Sequence, residues 1–269
     1  MSYKPKLIAL DLDGTLFDSR ASVSTRTKTS LQKAMAEGTK VIIATGRMYP
    51  SAMPIIKEIG ITDPCVFYNG AIVRNPVNNE TIYERGLGED LTAEVLAFYH
   101  SMDWYIQVYS DDRLYVQDGS DPKAKFYESI AKIEPLSLGE HFWQYRTDAT
   151  KLLGISQDKE TFYEMARCTK EHFSNRLYCA TSWGAFVEMV HPQVNKARGL
   201  EIAARHAGVE RCDVLAIGDS GNDKEMLEWA GWGVAMGNAS YEVKTAADEV
   251  APTNNEDGVA FIVERYLKI

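Results

Sequence analysis

Short apolar runs recur along the chain, and each closes on acidic, hydroxyl or glycine residues. The first, 7–10, ends at Asp11, which predicts a buried strand feeding a loop. Residues 24–37 place Leu31, Ala34 and Met35 on one side, as a helix does, and Gly38 supplies the stop. A second apolar run, 41–44, ends in Thr45-Gly46-Arg47, and a helix is expected near Pro54. Residues 65–68 predict a third strand, with Asn69-Gly70 behind it as a turn signal. Strands alternating with helices in this way predict an α/β fold with a mostly parallel sheet.

The middle of the chain changes character. From about residue 83 to 188 it is richer in aromatics, among them Trp104, Tyr105 and Tyr109. Helical stretches (91–101, 160–173) mix there with alternating, strand-like ones (104–109, 177–180, 186–190). After Pro192 the first rhythm returns. Residues 195–207 predict a helix, 214–217 a strand ending in Gly218-Asp219, 222–229 a helix, 233–236 a strand and 257–267 a closing helix. Residues 1–82 and 192–269 are therefore expected to build one sheet domain, into which 83–191 is inserted as an α+β domain.

Composition narrows the partners. The 269 residues, 45% of them hydrophobic, suffice for a real core. The formal net charge is −9, with no long Lys/Arg run, so neither nucleic acid nor an anionic membrane surface is an expected partner. Cys65, Cys168, Cys179 and Cys212 are scattered, which suits reduced thiols in a cytosolic protein. Residues 1–6 are short and polar, so no secretory leader is expected. No stretch approaches the roughly 18 apolar residues of a membrane span. A cytoplasmic protein, monomeric or weakly self-associating, is expected.

The strand ends carry the chemistry. Asp11-Leu12-Asp13-Gly14-Thr15-Leu16 puts two carboxylates at the end of a buried strand, the edge where parallel sheets bind ligands. Close carboxylates repel and need a cation or a shared proton. Mg²⁺ suits them, because it takes oxygen ligands and keeps several waters. A carboxylate can also attack phosphorus and form an aspartyl phosphate. Thr45-Gly46-Arg47 offers a hydroxyl, a glycine N–H and a guanidinium to phosphate oxygens. Lys196 opens a predicted helix and could neutralise phosphoryl charge. Gly218-Asp219-Ser220-Gly221-Asn222-Asp223 follows another strand, with Asp219 placed like Asp11. Asp223 could hold a metal-bound water or orient Lys196. The five histidines show no ligand spacing.

This ordered set resembles the haloacid dehalogenase superfamily. The large insert after the third strand, with Asn69-Gly70-Ala71, is similar to its Cof-type sugar-phosphatase branch. The resemblance implies a Rossmann-like core with an inserted α+β cap that closes over the site and selects substrate. It also implies a Mg²⁺-dependent phosphatase acting on a small phosphorylated metabolite. Asp11 would be the nucleophile and Asp13 the general acid and base. Thr45, Gly46, Asn222 and Arg47 would hold phosphate, and Lys196 would stabilise the pentavalent charge. Asp219 would bind Mg²⁺ with the Asp11 carboxylate and the Asp13 carbonyl, and Asp223 would support the metal shell. Ala197 departs from the branch, where glycine usually follows the motif lysine; here the glycine is Gly199. Glu188 resembles a recurrent acidic residue of the cap's return strand, where it could pair with a nearby cation. A phosphotransferase such as a sugar phosphomutase, or a non-catalytic phosphoacceptor regulator, are the alternatives. The large cap speaks against the first and Asp13 against the second.

Overall fold

The computed structural model describes residues 4–182 and 184–269. Residues 1–3, the start of the polar N-terminal stretch, and Trp183 lie outside the described residues. The chain divides into two compact units. One comprises the chain up to Gly46, Ala52–Tyr83 and Asn195–Ile269; the other comprises Arg47–Ser51 and Glu84–Val194. The second unit thus gains a short segment around Arg47 that the sequence reading left in the core.

The chain begins with β1 (Leu7–Leu10), α1 (Thr25–Ala36), β2 (Lys40–Ile43) and α2 (Tyr49–Ile59), then a hairpin-like set of β3 (Cys65–Phe67), β4 (Ile72–Arg74) and β5 (Thr81–Glu84). The insert supplies α3 (Glu89–Ser101), β6 (Ile106–Ser110), β7 (Arg113–Val116), α4 (Pro122–Ala131), β8 (Leu136–Ser137), β9 (Lys151–Ile155), α5 (Lys159–Phe173), β10 (Tyr178–Ser182) and β11 (Phe186–Val190). The return half adds α6 (Lys196–His206), β12 (Val214–Gly218), α7 (Lys224–Trp229), β13 (Trp232–Ala235), α8 (Tyr241–Ala246), β14 (Glu249–Val250) and α9 (Gly258–Leu267).

In the first unit the sheet order is β14-β13-β12-β1-β2, parallel throughout. Its central strands are apolar because both faces are covered: every residue of β1 is 0% exposed. Ser24 caps α1, its hydroxyl accepting from the Thr27 N–H at 3.0 Å. The third strand runs beside β2 through one parallel bridge, Ala44 to Val66, but pairs antiparallel with β4. It stops at Phe67 instead of Tyr68, because Tyr68 and Asn69 turn to φ +51° and +58°. The helix expected over 222–229 begins as a tight turn, Gly221–Asp223, before α7.

The second unit is a mixed sheet, β10-β11-β9-β6-β7-β8. One face packs with α3 and α5 into a core that includes Leu96, Tyr99, Ile106, Val108, Met165 and Val187. Trp104 belongs to this core, edge-on to Phe98 and Tyr99 at 5.9 and 5.6 Å. Tyr105 and Tyr109 flank the fully buried Gln107, whose amide donates to one phenol (2.8 Å) and accepts from the other (3.0 Å). Glu188 does pair with a cation: Lys151 Nζ lies 3.0 Å away, both side chains are buried, and the Ser182 hydroxyl donates to the other carboxylate oxygen at 2.7 Å. No helix among the described residues is long and apolar enough to cross a membrane.

Candidate active site

The parallel pairing decides what meets at the rim of the first unit's sheet. Leu10 is level with Ile43 on one side and Ile217 on the other. The residues just past all three strands, Asp11, Thr45 and Asp219, therefore leave the sheet at one edge. The Asp11 N–H still donates to Ile217 O at 3.0 Å, which pins its backbone before the chain turns away. Residues 12–16 then form a tight turn, closed by the Phe17 N–H on Leu12 O at 2.8 Å. Gly14 takes φ +84°, and a methyl group on it would meet Asp219 Oδ2 at 2.3 Å. Only glycine suits a backbone that is both left-handed and touching a carboxylate.

Lys196 is the hub. Its helix starts at Asn195, whose side chain accepts from the Arg198 N–H at 2.8 Å. The departure at Ala197 leaves this register intact, and Gly199 has its own reason. A methyl there would strike Val66 Cγ1 at 2.4 Å, so the glycine lets α6 lie close to β3. The buried Lys196 Nζ donates to Asp11 Oδ1 at 2.6 Å and to Asp223 Oδ1 at 2.7 Å. Burial works against the ammonium, but Asp11 and Asp223 outweigh it and hold the charge well above the ordinary lysine range. Asp223, itself completely buried, takes the Asp219 and Ser220 N–H groups on its second oxygen at 3.1 and 3.0 Å. These bonds tie the 219–223 loop to the lysine.

Asp11, Asp219 and Asp223 each present an oxygen, and the three lie within 4.8 Å of one another. Burial drives the Asp11 carboxyl well above its usual value; Lys196 opposes this, while Asp223, Asp219 and Asp13 add to it. Burial, then Asp223, push Asp219 up to about 6, although the Thr15 hydroxyl donates to its Oδ1 at 2.8 Å. Asp11 and Asp223 share the Lys196 ammonium, and the Asp219 carboxylate stands beside them. An all-oxygen, acidic donor set of this kind fits a hard divalent cation such as Mg²⁺. The Asp13 side chain is not one of the three converging carboxylates, but it is close enough to act on both Asp11 and Asp219.

The expected phosphate-holding residues form a second group. The buried Thr45 accepts the Asn69 N–H on its carbonyl at 3.0 Å. Asn69 Oδ1 lies so near Gly46 that a methyl on that glycine would meet it at 2.8 Å. The same oxygen accepts from Asn222 Nδ2 at 2.9 Å. Arg47 falls in the second unit. Three participants escaped the sequence reading. Asn69 was visible as a turn signal but not as a partner of Asn222. Thr15 lay inside the first motif without a role. Asn238, 2.8 Å from Gly14 O, carried no signal beyond being a loop asparagine.

Comparisons with known proteins agree on one family. A family model described as haloacid dehalogenase-like hydrolase matches residues 8–263. The 5-amino-6-(5-phospho-D-ribitylamino)uracil phosphatase YitU of Bacillus subtilis is 32% identical over 276 residues, covering 100% of both chains. A crystal structure of a haloacid dehalogenase-like hydrolase from Bacteroides thetaiotaomicron is 29% identical, with TM-score 0.88 over 97% of this chain and 99% of that one. A HAD subclass IIB sugar phosphatase, BT4131, shares the fold at TM-score 0.84 and 23% identity, over 98% and 99% of the two chains.

Proposed function

The chain belongs to the haloacid dehalogenase-like hydrolases and is a phosphatase, and from that premise we propose that it hydrolyses small phosphomonoesters through an aspartyl phosphate on Asp11, with Mg²⁺ as cofactor. Sugar and polyol phosphates lead as substrates, because the relative YitU is named for a phosphorylated ribityl compound. The observation that carries the reading is the convergence of Asp11, Asp219 and Asp223 with Lys196 at one strand edge.

In this mechanism Asp11 attacks phosphorus along the line of the departing oxygen, forming the acyl phosphate as the ester bond breaks. Asp13 gives its proton to the leaving alkoxide. It then takes a proton from the water that attacks the acyl phosphate, releasing inorganic phosphate and restoring Asp11. Thr45, Gly46 and Asn222 hold the phosphoryl oxygens, and Arg47 is a further candidate. Lys196 opposes the rise of the Asp11 carboxyl, favouring the ionised nucleophile, and offsets the charge gathered in the transition state. Asp11, Asp219, Asp223 and the Asp13 carbonyl would hold Mg²⁺, which when bound neutralises phosphoryl and carboxylate charge. Catalysis then rests mainly on positioning and electrostatics. The inserted unit, expected over 83–191, selects the substrate.

The test is a panel of phosphorylated metabolites with Mg²⁺, followed by Asp11→Asn. The substitution should abolish turnover and leave the fold intact. Acid quenching of the wild type during turnover of a phosphate-labelled substrate should leave label on the peptide that contains Asp11. A near-normal rate in the variant would refute the mechanism.

A further inference from the structure

We infer that Asn238, oriented by Asn254, is a positioning residue that sets where the Asp219 carboxylate and the 12–16 turn stand. The inference rests on the phosphatase reading for its consequence, but its geometry does not. Asn238 Oδ1 accepts from the Asn254 backbone N–H at 3.0 Å. A backbone N–H only donates, so that end of the amide must be the oxygen. The other end, Nδ2, then faces Gly14 O at 2.8 Å and Asp219 Oδ2 at a longer 3.5 Å. Both of those groups only accept. Every contact of this side chain therefore has one permitted polarity, and a carboxamide satisfies them all.

The consequence lies in Asp219. Its Oδ1 is held by the Thr15 hydroxyl at 2.8 Å, and its Oδ2 is flanked by the Asn238 amide on one side and the Cα of Gly14 on another. A carboxylate held in this way has a fixed rotation, and that rotation decides which lone pairs point toward Asp11 and Asp223. The turn itself is held from the same place. Asn254 Nδ2 donates to Phe17 O at 2.8 Å, the residue that closes the turn. Thr253 and Glu256 lock the short C-terminal segment that carries Asn254, through contacts of 3.1 and 2.8 Å. Residues that orient ligating carboxylates from behind affect affinity for the ion by roughly 10- to 100-fold.

The neighbouring Asn255 supplies an internal control. It accepts from the Ser19 N–H at 3.0 Å, tying the same segment to the chain beyond the turn. The experiment is calorimetric titration of the full chain with Mg²⁺, without substrate, for wild type, Asn238→Ala, Asn254→Ala and Asn255→Ala. Asn238→Ala should raise the Mg²⁺ dissociation constant about tenfold. Asn254→Ala keeps the backbone N–H that orients Asn238 but releases Phe17 O, so it should shift the constant in the same direction by less. It also carries the test should Asn238→Ala not fold. Asn255→Ala should bind as wild type. In turnover assays the Asn238→Ala deficit should close as Mg²⁺ is raised, which a general loss of stability would not do. Unchanged Mg²⁺ binding in both Asn238→Ala and Asn254→Ala, or equal losses in Asn238→Ala and Asn255→Ala, overturns the inference. A wild type that binds Mg²⁺ but hydrolyses no phosphate ester would overturn the proposed function and leave this inference standing.

Discussion

Replacing Lys196 by Met keeps most of the buried volume and removes the charge on which two carboxylates depend. The ammonium lies 2.6 Å from Asp11 and 2.7 Å from Asp223, and all three side chains are at most 5% exposed. At an effective dielectric near 20, charges about 2.6 Å apart attract by roughly 6 kcal/mol, from which desolvation takes back several. Removing one partner of a buried pair therefore costs about 3–5 kcal/mol. The loss should depend on pH. Burial already raises the Asp11 carboxyl, and Lys196 is the group that opposes the rise, so the variant's carboxyl goes higher still. A carboxyl raised on folding binds more protons in the folded state, so stability falls as pH rises through that value. The deficit should be full near neutral pH, shrink as the medium is acidified, and shrink again on adding Mg²⁺. Urea unfolding followed by hydrogen exchange of the β1 and β12 amides reads this unit rather than the inserted one. A Lys196→Met protein as stable as wild type in metal-free neutral buffer, or a deficit indifferent to pH, would refute the electrostatic argument.

Two further outcomes follow from the same cluster. Gly14→Ala adds a methyl 2.3 Å from Asp219 Oδ2 at φ +84°. It should cost about 1–2 kcal/mol of backbone strain and, by displacing Asp219, roughly 100-fold in kcat/KM. Gly38→Ala, at φ +90° with open space around it, should bring the strain without the kinetic loss. The second outcome concerns Asp219, raised from 3.8 to about 6 by burial and Asp223. Its proton is kept on folding below that value and must leave for a cation to bind. The rise in Tm on adding Mg²⁺ should grow from about pH 5 to about pH 7.5; a rise that is flat or largest in acid would contradict it.

Much of the core could be read from the chain because its strands are covered on both faces. The runs at 7–10 and 214–217 are uninterrupted apolar segments, and they lie side by side as β1 and β12. The motif carboxylates were legible because they follow those strands directly. The insert was harder. β9 opens with Lys151, a buried charge that Glu188 meets from β11, 37 residues later. α4 carried a usable signal in Asp121-Pro122, an N-cap followed by proline, and the Asp121 side chain accepts from the Lys123 N–H at 2.7 Å. Asn238 had no such signal. Its partner Gly14 is 224 positions away, and a loop asparagine looks the same whether it braces a site or faces water.

β1 lies between β2, which follows it closely in the chain, and β12, which comes some 200 residues later. During translation the first pairing can form early, while the second must wait for some 200 further residues to emerge. Until then the nascent protein carries Asp11 without Asp219 and leaves one edge of an apolar strand unpaired, the kind of surface that recruits other unfinished chains. A ribosome stalled before Val214, or a protease cutting there, would therefore leave a fragment that lacks Asp219 and Asp223 and is prone to aggregate.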